Sequence, residues 1–76
     1  MSNSQEFREL IIKNLEIKNI SLSKMAKELG FGNSFFADMK RHDTMPSAEK
    51  LVAIAQYLEV STDYLLGLTD KPEVNR

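Results

Sequence analysis

Apolar residues recur along this chain at intervals of three and four, with polar residues between them, and that period predicts helices throughout. In the first segment Phe7, Leu10, Ile11, Leu15 and Ile17 fall near one face. Asn3 or Ser4 stands where a cap belongs, Glu6 suits the positive first turn, and Lys18-Asn19 ends the run. A second run follows Ser21, a good N-cap, and repeats at Met25, Ala26 and Leu29. Gly30 closes it, because a residue without Cβ enters the left-handed geometry common at helix ends. A third stretch, starting near Gly32, puts Phe36 and Met39 on one face. The fourth begins at Pro46-Ser47, has Glu49 in its first turn, and buries Leu51, Val52, Ile54, Ala55 and Leu58. Ser61 caps a fifth, short helix that carries Tyr64, Leu65 and Leu66 and stops at Gly67. Lys71-Pro72 cannot continue it. No segment alternates as a strand does, so the predicted fold is all-α: five helices around one core over residues 1–70, with 71–76 a flexible C-terminal tail.

The second and third helices are separated by Gly30, Phe31 and Gly32. Two short helices over a glycine-containing turn are the layout of a helix-turn-helix, whose second helix projects and can offer side chains to the DNA major groove. Composition narrows the alternatives. A chain of 76 residues is one small domain that buries only about 60% of its unfolded surface. With no cysteine and one histidine it can build neither a disulfide scaffold nor a structural zinc site, so no metal and no cofactor are expected. The apolar runs fall far short of the roughly 20 residues that span a bilayer, and the N-terminus lacks the features of a signal peptide. The expectation is a cytoplasmic protein with no membrane association. Catalysis is not expected either, because the chain has no glycine-rich phosphate loop and no Ser-His-Asp or Cys-His set.

Charge is discordant with a DNA partner, since 10 basic residues against 11 acidic ones leave a net charge of −1. The excess is C-terminal, where Glu49, Glu59, Asp63, Asp70 and Glu73 outnumber Lys50, Lys71 and Arg76. Lys24, Lys27, Lys40 and Arg41 flank the proposed binding face.

The segment SLSKMAKELG, the spacing from Gly30 to Pro46-Ser47, and the run LVAIAQYLEVSTDYLLGLTD together resemble the phage repressor and Cro type of helix-turn-helix regulator, the xenobiotic response element family. That resemblance covers Phe7 to Asp70 and implies a compact, lambda-repressor-like five-helix domain. It implies a sequence-specific transcriptional regulator, a repressor, reading the major groove of double-stranded DNA with the helix around 33–41. Asn33, Ser34, Phe35 and Asp38 then point outward to bases, while Phe36 and Met39 point inward. Asn33 can pair bidentately with adenine, Ser34 can donate or accept, and Asp38 can accept from a cytosine amine. Ser23, Lys24, Lys40, Arg41, His42, Thr44 and Ser47 are the implied backbone contacts. Where relatives often have Gln at the start of the second helix this chain has Leu22, and where many have a Glu-Arg pair it has Lys40 and Leu15. Lys40 is thereby left to reach a phosphate.

Two residues stay open on this reading. Phe35 either meets a thymine methyl, in which case Phe35→Ala leaves folding nearly intact, or folds back against the second helix or a partner protein. His42, in place of a frequent family glycine, serves either as a left-handed C-cap or as a phosphate contact. The resemblance also implies a homodimer on a palindromic operator, paired through Met45, Tyr57, Val60, Tyr64 and Leu68, each of which could instead be core. The rival reading is a protein-interaction module on the same scaffold, such as an antitoxin or repressor-partner domain, which weak salt dependence would reveal.

Overall fold

The computed structural model describes residues 4–32 and 34–74; Asn3, proposed as a cap, lies outside the described residues. The chain is all-helical over these, with α1 (Ser4–Lys18), α2 (Leu22–Glu28), α3 (Phe35–His42), α4 (Ala48–Leu58) and α5 (Thr62–Leu65). None of these helices is long and apolar enough to cross a membrane.

Three serines start helices as the sequence predicts. The Ser21, Ser47 and Ser61 hydroxyls accept from the amides of Lys24, Lys50 and Tyr64 at 3.0, 3.4 and 3.0 Å. Each such cap contributes about 1 kcal/mol by satisfying a donor with no partner inside the helix. The helix ends share a second device, in which a left-handed residue lets the next amide reach back five positions. Ile20, Phe31, Thr44, Val60 and Leu68 donate to the carbonyls of Leu15, Ala26, Met39, Ala55 and Asp63 at 2.8–3.1 Å. The left-handed residues are Asn19, Gly30, Asp43, Glu59 and Gly67. At Gly30 a Cβ would meet nothing within 4 Å, so its φ of +76 alone calls for glycine.

α3 ends one residue later than the sequence suggests. Asp43, with φ 52, is the left-handed cap, and His42 is the last helical residue. Asp enters left-handed geometry more readily than most residues, and here it is also held from the first turn of α1: the Ser4 hydroxyl donates to the Asp43 carboxylate, and the Arg8 guanidinium donates to Ser4 Oγ at 3.2 Å.

The core runs along α1, where Phe7, Ile11 and Leu15 repeat every four residues and are fully or almost fully buried. Met25 and Ala26 of α2, Phe36 and Met39 of α3, Ile54, Ala55 and Leu58 of α4, and Tyr64 and Leu65 of α5 close around them. Among the described residues two polar side chains are buried, Ser4, bonded as above, and Asn14, whose Nδ2 donates to the Leu10 carbonyl at 2.8 Å and to the Tyr64 hydroxyl at 3.2 Å. Two residues assigned to buried stripes lie outside them. Ile17 is 72% exposed and Val52 44% exposed. At about 100° per residue, Ile17 is turned roughly 200° from Leu15 and Val52 roughly 100° from Leu51. Beyond α5 the Ser61 amide donates to the Pro72 carbonyl at 2.9 Å, which brings residue 72 back over the start of α5.

Candidate nucleic-acid interface

α3 begins at Phe35, three residues after the start read from the sequence. Phe36 and Met39 alone mark its buried face, and two points do not fix where a helix begins. Ser34 becomes its N-cap residue, with φ −94 and ψ 3, and its hydroxyl caps nothing. Asn33 lies outside the described residues.

With Phe36 and Met39 turned into the core, Ser34, Ala37, Asp38 and Arg41 line the other side at i, i+3, i+4 and i+7. Ser34, Ala37 and Arg41 are exposed and Asp38 is half-buried. The Arg41 guanidinium donates to the Asp38 carboxylate and neutralises the acid that would otherwise repel phosphate. Ala37 was not singled out from the sequence, although its spacing from Ser34 marks it. Its methyl is a natural partner for a thymine methyl.

Phe35 sits at the start of α3 within an aromatic cluster. Its ring lies 4.7 Å from that of Phe31 at a 43° tilt and 4.8 Å, edge-on, from that of Phe36. It is half-buried, so of the two arrangements left open by the sequence the structure has the one folded back toward the end of α2. Lys50 of α4 covers the cluster, its Nζ 4.8 Å from the Phe35 centroid and 5.5 Å from that of Phe31.

The remaining polar candidates are all at the surface. Ser23, Lys24, Lys40, His42, Thr44 and Ser47 are exposed. Lys24 approaches Glu28 within 4.0 Å, a surface pair that contributes little. Ser47 Oγ is committed to its cap. Lys40 lines a groove with Arg8, Glu9, Ile12 and Leu22, while Leu15, the residue opposite it in the family pattern, is 2% exposed.

The five pairing candidates divide between core and surface. Val60 and Tyr64 are buried in the core of their own chain at 6% and 9% exposure, because α5 packs its first turn against α1 and α4. Tyr57 is half-buried, and the Glu28 carboxylate, which favours the protonated phenol, raises its pKa above the ordinary 10.0 together with partial burial. Met45 and Leu68 are exposed.

A core-locked helix offering one polar stripe beyond a short glycine turn defines a helix-turn-helix DNA-binding regulator domain. Comparison with known proteins gives the same class. Residues 9–73 match the model of the bacteriophage CI repressor helix-turn-helix domain, and the chain belongs to that family. It is 33% identical over 54 residues to the uncharacterized HTH-type transcriptional regulator YobD of Bacillus subtilis (strain 168), an overlap of 71% of this chain and 48% of that one. The chain thus spans about half the length of that relative. No solved structure matches it.

Proposed function

We propose that this domain binds a specific duplex operator as a homodimer and acts in the cytoplasm as a transcriptional repressor, without cofactor or catalysis. The observation that carries the reading is the stripe Ser34, Ala37, Asp38 and Arg41, presented by a helix whose opposite side is fixed in the core. Asn33, the residue before Ser34 in the sequence, is the proposed adenine reader. Lys40 and Arg41, at the far end, meet the strand backbone. A palindromic operator follows from two-fold pairing, for which Met45 and Leu68 offer exposed apolar surface. The interaction-module reading relied in part on Phe35 as an exposed aromatic, and its packing against Phe31 weakens that support.

Selection from random duplexes at low salt is the test. Enrichment of a palindrome whose binding weakens steeply with salt is the expected result, and no enrichment returns the domain to a protein partner. On the selected site Asn33→Ala should cost about 1 to 3 kcal/mol, and far less on a scrambled duplex. Lys40→Ala and Arg41→Ala should weaken both duplexes alike and flatten the salt dependence by about one unit per lost contact. Equal weakening of both duplexes by Asn33→Ala would reverse the proposed orientation of α3.

A further inference from the structure

We infer that Lys50 is a contact to the phosphate backbone of the duplex and that the Phe31–Phe35 pair is the platform that positions it, an inference that rests on the DNA-binding reading above. Three separate elements converge here. The turn after α2 supplies Phe31, the first residue of α3 supplies Phe35, and the first turn of α4 supplies Lys50. The ring centroids are 4.7 Å apart, and the ammonium stands 4.8 Å and 5.5 Å from them.

An exposed lysine ordinarily samples many rotamers, and ordering it on a ligand costs entropy. The two ring faces narrow that range before any ligand arrives. The rings occupy one side of the ammonium and leave N–H donors on the other for phosphate oxygens. Phe35 follows Ser34 directly, so this cation is held at the groove-entering end of α3, whereas Lys40 and Arg41 lie at its other end. A duplex seated along α3 then meets positive charge at both ends, although the chain carries a net charge of −1. Phe35 supports binding through Lys50 without touching a base.

Binding constants on the selected and scrambled duplexes at several salt concentrations test this, with the folded state of each variant checked by circular dichroism. Lys50→Met keeps the stem on the rings and removes the charge. It should flatten the slope of log K against log salt by about 0.9 on both duplexes, and Lys50→Arg should restore it. Phe35→Tyr keeps the ring face and should bind as the parent does. Phe35→Leu should weaken binding, but have little further effect once Lys50 is Met. An unchanged slope in Lys50→Met, in a protein that binds duplex, would remove this inference and leave the proposed function standing. A Phe35→Leu defect that persists in full beside Lys50→Met, or that vanishes when operator thymines are replaced by uracils, would return Phe35 to base contact and overturn the platform. Should Phe35→Leu not fold, Lys50→Met and Lys50→Arg decide the matter. A parent protein that binds no duplex at any salt refutes both readings at once.

Discussion

Replacing Phe35 by Ala distinguishes a packed ring from a base-reading one. A fully buried aromatic removes about 150–250 Å² from water, so a half-buried one removes about 100 Å². At about 25 cal/mol per Å² that is about 2.5 kcal/mol. The tilted contact with Phe31 and the edge contact with Phe36 add to it, and relaxation of Phe31 and Lys50 into the gap takes some away. A net loss of about 2–3 kcal/mol is expected. At roughly 0.05–0.15 kcal/mol per residue the whole domain is stable by about 4–11 kcal/mol, so this is a substantial fraction. Urea unfolding followed by helical circular dichroism should show a lower midpoint at unchanged slope, with Tm reduced by about 10–20 °C. A loss below about 0.5 kcal/mol is what an exposed position gives. It would place the ring in solvent and restore the thymine contact.

Tyr64→Phe removes the hydroxyl that accepts from Asn14 and leaves the bond from Asn14 to Leu10, so it should cost about 1 kcal/mol and lower Tm by about 4–8 °C; an unchanged Tm would show that the Asn14–Tyr64 bond contributes nothing. Tyr57 should titrate above 10.0, because the Glu28 carboxylate favours the protonated phenol. Its raised pKa means the folded state holds the proton longer than the unfolded one, so this contribution is complete below 10.0 and disappears as pH rises through the folded value. Tyrosinate absorbance in a Tyr64→Phe background reads it, Glu28→Gln should lower it, and a midpoint at or below 10.0 would contradict that effect. Glu59→Gly should raise stability by about 0.5–1 kcal/mol, since Glu59 is left-handed at φ 59 and puts a carboxylate at the negative end of α4. A lower urea midpoint for that variant would refute the argument.

What the sequence made legible was governed by local chemistry. Ser21, Ser47 and Ser61 announce helix starts because a short hydroxyl before an apolar run has one obvious use. Gly30 and Gly67 announce ends for the same kind of reason. Asn19, Asp43 and Glu59 do the same work without glycine, and Asp43 is also bound by Ser4, 39 positions away. The face of α3 was half legible, since Phe36 and Met39 gave its inner side while Ala37 carries no chemistry that draws notice. Lys50 could not be read at all, because no spacing relates positions 31, 35 and 50 until the turn, α3 and α4 meet. Val60 and Tyr64 were left open between surface and core, and only the packing of α5 shows that both are buried.

The Ser4–Asp43 contact, with Arg8 behind it, joins the first turn of α1 to the last turn of the recognition helix. These two ends are thereby coupled, since opening either one loses the contact that holds the other. Reciprocity then ties affinity to the beginning of the chain. On the DNA-binding reading proposed above, a duplex that orders Lys40 and Arg41 favours the closed contact, and Ser4→Ala, which removes it, is expected to weaken the grip on DNA.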